Sequence, residues 1–299
     1  MIAASLLWIP FTLLAAAGQT ARNAMQRELT AALGTVGATH VRFLFGFPFA
    51  IVFLAAVLFV TGLPWPAPPA VFWPWVLLGA GAQIVATALM LATMNDRSFV
   101  VTIAYIKTEA IQGALFGLIF LGDPLTIGMV VAILVATAGV VAMSLKGKGV
   151  MEGGYRPVVL GLISGGMFAV SAVGYRGAIL SLGLPSFVLA ATFTLALGLI
   201  FQAGLLTLYL ALRDRAVLAA IVRAWRPSLF AGFMGATASQ FWFLAFALTS
   251  VANVRTLALV EVLFAQAISY FMFKQTTTQR EAIGMSLIVV GCVLLIWVQ

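Results

Sequence analysis

Lys107, Glu109 and Glu261 are the residues of this chain whose types and spacing could do chemistry, because each interrupts an apolar run long enough to span a bilayer. The first two lie in residues 97–126, RSFVVTIAYIKTEAIQGALFGLIFLGDPLT, and the third in VANVRTLALVEVLFAQAISYFMF, 152 residues after Glu109. An ionised group at such depth costs about 2.5–3.5 kcal/mol on an insertion scale, so it needs a partner or a task. On a continuous α-helix Lys107 and Glu109 stand about 200° apart and cannot pair with each other. At about 1.5 Å per residue, Lys107 lies about 15 Å from one end of its span and Glu261 about 15 Å from the opposite end of its own. They are therefore expected to meet near the midplane, neutralising each other or holding the two ends of a zwitterion, with Arg255 left for Glu109. A buried ion pair that only fixes helix register is the plain alternative.

Further candidates surround these three. Tyr105, Glu109, Gln112 and Phe116 share a helical stripe, while Arg255 and Gln266 lie on a different face from Glu261. His40 and Arg42 fall several residues into an apolar run; His40 could carry a proton near neutral pH or sit packed and neutral. Trp242, in Ser239-Gln240-Phe241-Trp242-Phe243, is mid-span rather than interfacial, so with Gln240 and Gln83 it could wall a pocket or simply fill the core. Arg22 and Arg176 read as anchors near helix ends, or else as residues lining the pathway, and the glycines at 161, 165, 166, 174 and 177 as a face for close helix packing or rocking.

The elements that must position these residues follow from composition. The chain has 299 residues, 63% of them apolar and 8% charged, where ordinary globular chains carry about 25% charge. Without water every backbone N–H and C=O must be satisfied internally, and no dyad alternation marks a barrel, so an all-α integral membrane protein is expected. Ten spans of about twenty residues can be drawn, at residues 3–25, 34–60, 71–94, 97–121, 125–145, 157–180, 186–211, 227–249, 251–273 and 280–298. Gly122-Asp123-Pro124 and Leu182-Gly183-Leu184-Pro185 act as sharp stops between them, and residues 62–75, GLPWPAPPAVFWPW, read as an interfacial loop with an aromatic anchor. The loops are too short for a soluble domain.

The formal charge of +8 is spread over short loops, which is an orientation signal and not a nucleic-acid footprint. Arg22, Arg27, Arg97, Lys146, Lys148, Arg156, Arg213, Arg215, Arg223, Arg226, Lys274 and Arg280 fall on one side and Arg176 on the other, placing both termini outside the cytoplasm. An apolar start without a basic n-region reads as a retained first helix. The single cysteine, Cys292, excludes an internal disulfide, and the single histidine argues against a multi-ligand zinc site. No cofactor is expected.

The chain also repeats itself. Residues 99–145 superpose on 251–297 without a gap at an offset of 152, matching Glu109 to Glu261 and Gly139 to Gly291. Residues 16–22, AAGQTAR, echo 170–176, VSAVGYR, at an offset of 154. Residues 1–146 and 157–299 are thus expected to form two five-helix repeats joined by a basic, glycine-containing linker at 147–156. Five being odd, the second repeat enters the membrane in the opposite sense and the pair encloses a central cavity.

Leu121-Gly122-Asp123-Pro124-Leu125-Thr126 before a terminal span, with Gly139 and Gly291 in the two terminal spans, resembles the EamA-type ten-helix branch of the drug/metabolite transporter superfamily over nearly the whole chain. Within it the layout is most similar to the YddG-type exporters of aromatic and other neutral amino acids. The resemblance implies a basket of helices around a substrate cavity, alternating access and export of small metabolites across the bacterial inner membrane. Two departures stand out: Asp123 replaces the family's usual Glu, and the second-half turn reads Lys274-Gln275-Thr276-Thr277-Thr278. The first span has no acid before Glu28, which disfavours the proton-coupling route of small four-helix relatives.

With no HExxH, GxSxG or phosphate loop, a membrane-embedded enzyme finds little support. One lysine and two carboxylates suit a zwitterionic amino acid, and hydrophobic cations are the runner-up, drawn by the same acids with Trp242 and Phe116. The expected partners are that small molecule and the lipid bilayer, with no nucleic acid, and the monomer is expected to suffice.

Overall fold

Apolar runs that must close their own backbone hydrogen bonds fold as helices. A computed structural model describes residues 6–96, 99–144, 155–273 and 278–298, with helices and no strand among them. In chain order these are α1 (Trp8–Leu44), α2 (Phe47–Thr61), α3 (Phe72–Asp96), α4 (Phe99–Ile106), α5 (Glu109–Leu121), α6 (Ile127–Ser144), α7 (Arg156–Ser181), α8 (Phe187–Arg213), α9 (Arg215–Arg223), α10 (Trp225–Leu248), α11 (Val251–Leu257), α12 (Glu261–Phe273) and α13 (Gln279–Trp297), with a 3-10 turn at Ala258–Val260 between α11 and α12. Among the described residues six runs are long and apolar enough to cross a bilayer: Trp8–Thr61, Phe72–Asp96, Arg156–Ser181, Phe187–Arg213, Trp225–Leu248 and Gln279–Trp297. The architecture is all-α and fits a multi-pass membrane protein.

α1 is two helices that fold back on each other at Gly34, whose φ of 66° and ψ of 173° only glycine adopts without strain; Gln26 Nε2 donates across the bend to the Ala38 carbonyl at 3.0 Å. The first helix therefore runs about nine residues beyond the expected end at residue 25, since Arg27, Glu28 and Leu29 are good helix formers and nothing stops the ladder before Gly34. This corrects the reading of Arg22 as a helix-end anchor and a loop cation. It stands well inside the helix and is fully buried.

Three long pairings hold the molecule together: α1 against α10, α3 against α7, and α6 against α13. The last is tight because glycine removes the side chains at the crossing. A Cβ on Gly139 would lie 2.6 Å from the Gly284 carbonyl oxygen and 2.8 Å from the Ile288 nitrogen; one on Gly291 would lie 2.6 Å from the Ala136 Cβ and 2.8 Å from the Ala132 carbonyl oxygen. The glycines of α7 do similar work, Gly161 against Tyr105, Gly165 against the Ile106 carbonyl and Gly174 against Gly79.

Polar caps mark several starts. Ser186 accepts from the Leu189 amide, Ser250 from the Asn253 amide, and Thr278 with Glu281 forms a reciprocal capping box on α13. Asp214 accepts from the Val217 amide and starts α9, a short amphipathic helix where the sequence reading expected only loop. Its buried Ile221 and its Val217 pack beside Gly37 of α1, while Arg215 and Arg223 stay exposed. Residues 147–154 of the expected linker, together with Arg97, Lys146, Lys148, Lys274 and the turn at 275–277, lie outside the described residues.

Candidate substrate site

The run from residue 97 to 121 is not one helix. α4 ends at Ile106, and the Thr108 and Ala110 amides reach back three residues instead of four, to the carbonyls of Tyr105 and Lys107. The same tightening occurs at Ala258–Val260, so Glu109 opens α5 and Glu261 opens α12 at matching places. A carboxylate in the first turn of a helix is favoured by the N-terminal end of its dipole. The break also corrects the expectation that Lys107 and Glu109 cannot meet. At 120° per residue a 3-10 turn leaves them about 120° apart around the axis rather than about 160°, and the lysine stem spans the rest.

The charged side chains of the resulting network are all buried. Lys107 Nζ lies 2.6 Å from Glu261 Oε2 and 3.4 Å from Glu109 Oε1, and Arg255 Nη1 lies 3.6 Å from the same Glu109 oxygen. Glu261 accepts two further hydrogen bonds from α1, from Gln19 Nε2 to Oε2 at 2.9 Å and from Asn23 Nδ2 to Oε1 at 3.2 Å. Trp242 Nε1 donates to Gln19 Oε1 at 3.0 Å, and the Arg255 guanidinium stacks 5.1 Å from the Trp242 ring and 5.3 Å from Phe246. Side chains from α1, the α4–α5 junction, α10, α11 and α12 thus converge on one charged centre.

A second cationic pair adjoins it. Arg22 donates through Nη2 to Asn23 Oδ1 at 2.7 Å, and Arg42 through Nη1 to Thr87 Oγ1 at 3.1 Å. Both side chains cross α10 at Gly235, where a Cβ would lie 3.3 Å from Arg22 Cδ and 3.5 Å from Arg42 Cγ. Behind Arg42 a neutral polar group is closed by Gln83, whose Oε1 accepts from Gln202 Nε2 at 2.9 Å and from the Tyr175 hydroxyl at 3.4 Å.

Other expected site residues face elsewhere. Tyr105 and Gln112 turn toward Gly161 and Gly166 of α7, because the break places Tyr105 and Glu109 on different helices and dissolves the stripe that joined them. Gln240 donates to Thr192 Oγ1 at 2.8 Å, and His40 Nε2 lies 3.0 Å from Thr207 Oγ1, a contact with α8 away from the Lys107 centre. Arg176 is a clamp rather than an anchor. It donates to Asp123 Oδ1 at 3.1 and 3.2 Å and to the carbonyls of Phe246 and Thr249, while Asp123 Oδ2 accepts from the Val251 amide at 3.1 Å.

Gln19 and Asn23 escaped the sequence reading although their signal was present: Gln19, Arg22, Asn23 and Gln26 follow the i, i+3, i+4, i+7 spacing of a single helix face. A polar stripe of that kind inside an apolar helix marks a face turned from lipid.

Neither a family model nor a curated protein matches this sequence. Among solved structures, 28 chains match the fold. One, described only as "Crystal structure of protein", aligns with a TM-score of 0.67 over 97% of this chain and 99% of its own at 16% identity, a likeness of fold alone.

Proposed function

We propose that the protein is a ten-span membrane carrier that moves small metabolites by alternating access between two inverted five-helix halves. The observation that carries this reading is the pair of matching helix breaks, which bring Glu109 and Glu261 from opposite halves onto one lysine in the buried centre. Broken helices meeting at mid-depth are where carriers of inverted-repeat design bind their cargo. The packing is consistent with exchange of the halves: α1 against α10 and α3 against α7 are the same pairing counted from either half. At an offset of 152, Gly139 with Gly284 and Ile288 becomes Gly291 with Ala132 and Ala136, the contact made twice across α6 and α13.

Amino acids, the neutral and aromatic ones first, are the substrates that the family resemblance implies, in a bacterial inner membrane with both termini periplasmic. A carboxylate on the cargo suits Arg255, which lies over the Trp242 ring. Hydrophobic cations suit the centre less well than the sequence alone implied, since the Trp242 and Phe246 faces already carry Arg255 and both carboxylates already have donors. Counterflow in proteoliposomes tests the reading. Preloaded unlabelled solute should accelerate and saturate uptake of labelled solute; linear, non-saturating flux would identify a pore instead.

A further inference from the structure

The account of charge in the core does not close. Arg22, Arg42, Lys107 and Arg255 stand against Glu109 and Glu261, four cations to two carboxylates. No other acid among the described residues makes up the difference. Asp96 pairs with Arg156 at the surface, Asp123 holds Arg176, Asp214 and Glu281 cap helices, and Glu28 is exposed. The two carboxylates are moreover engaged by Lys107, Arg255, Gln19 and Asn23.

The surplus is localised. Arg22 and Arg42 are 0% and 2% exposed, and among the described residues neither is ion-paired. Arg22 Nε and Nη1 and Arg42 Nε are buried donors without a hydrogen-bond partner. Arg42 lies close enough to Arg22 and Arg255 to be repelled by both, while Arg22 feels attraction from Glu261 and repulsion from Arg255. Gly235 gives them the room to lie side by side. Guanidinium forks present paired donors matched to an oxyanion, and a buried unpaired charge is among the most costly features a membrane core can hold. Such an arrangement is explained by a counter-ion that comes and goes.

We infer that Arg22 and Arg42, astride Gly235, form an oxyanion subsite and that the cargo is a net-anionic organic solute, a dicarboxylate or a phosphate monoester. This rests on the carrier reading above and narrows its substrate class: a neutral amino acid leaves the surplus of two charges in place, whereas a dianion cancels it. Thr87 holds Arg42, and Asn23 holds Arg22, leaving the remaining donors for the solute.

The test uses the full chain in nanodiscs, titrated with glutarate, phenyl phosphate and phenylalanine. One of the two anions should raise the unfolding temperature and bind at least tenfold more tightly than phenylalanine, and which one does so separates carboxylate from phosphate cargo. Arg42→Gln should weaken that binding at least tenfold. Gly235→Ala keeps every charge but puts a methyl group 3.3 Å from Arg22 Cδ, tight enough to shift that side chain, and in ordinary contact with Arg42, so it should weaken anion binding severalfold even if Arg42→Gln fails to fold. Phenylalanine binding as tightly as the tighter of the two anions, or anion affinity unchanged in Gly235→Ala and Arg42→Gln, overturns the subsite. Counterflow separates the two ideas: phenylalanine counterflow with no anion binding removes the subsite and keeps the carrier, whereas Arg42-dependent anion binding without counterflow of any probe keeps the subsite and removes the carrier.

Discussion

Replacing Lys107 by methionine removes the cation that two carboxylates share, and the structure sets the size of the loss. At an effective dielectric of about 20, the contact of 2.6 Å to Glu261 corresponds to ~6 kcal/mol of gross attraction and that of 3.4 Å to Glu109 to ~5 kcal/mol. Against this, the substitution relieves the desolvation of the ammonium group, which is several kcal/mol. Glu109 keeps Arg255, but Glu261 loses its ion pair and keeps only the neutral donors Gln19 and Asn23, which leaves a buried carboxylate uncompensated. The net loss of stability should be about 3–5 kcal/mol, the range for breaking a buried pair from one side. Equilibrium unfolding in mixed micelles, followed by tryptophan fluorescence, measures it. The double variant Lys107→Met/Glu261→Gln should be less destabilised than the sum of its singles by about 2–3 kcal/mol. As a control, Asp96→Asn, which breaks an exposed pair of 3.6 Å with Arg156, should change stability by less than about 0.5 kcal/mol. A loss under about 1 kcal/mol for Lys107→Met, or additivity in the cycle, would refute the claim that Lys107 is the electrostatic centre joining the two broken helices.

Three further outcomes follow from the same coordinates. Asp123→Ala should lower stability by about 2–4 kcal/mol in the same assay, because it removes the acceptor for the Val251 amide and leaves the buried side of Arg176 unpaired; Asp123→Asn, which keeps an acceptor, should lose less. Gly139→Ala and Gly291→Ala should each cost about 1–3 kcal/mol and by similar amounts, since each puts a methyl group within 2.8 Å of backbone on the facing helix; a tolerated pair would show that α6 and α13 are not in close contact. Arg255→Lys keeps the charge beside Glu109 but not the planar stack on Trp242 and Phe246, and thermal melts should register a loss of about 1–2 kcal/mol.

The meeting of Lys107 with Glu261 was accessible from sequence because intramembrane charge is costly enough to demand a partner, and a depth of about 15 Å for each named it. The breaks that shape the meeting were not. Neither Ile106-Lys107-Thr108 nor Ala258-Leu259-Val260 contains glycine or proline, so nothing local signals a change of pitch. Contacts made elsewhere accompany it, such as the approach of Gly165 to the Ile106 carbonyl. Hydropathy also closed the first span too early, at residue 25. That pushed Arg22 to an apparent helix end, whereas the helix runs on to Gly34 and leaves it in the core. By type His40 is either a proton carrier or a packed, neutral side chain, and only the packing of α8 shows its neighbour to be a threonine hydroxyl.

At the charged centre the two repeats match in their acids but not in their bases. Glu109 answers to Glu261, yet Lys107 falls opposite Leu259 and Arg255 opposite Ile103 at the same offset. A dimer of identical chains could not do this, for any lysine it gained would appear on both sides of the axis. Joining the halves in one polypeptide lets a centre framed by a two-fold arrangement acquire a polarity of its own. The centre therefore has a head and a tail, with acids contributed from both sides and bases placed on each side without a counterpart.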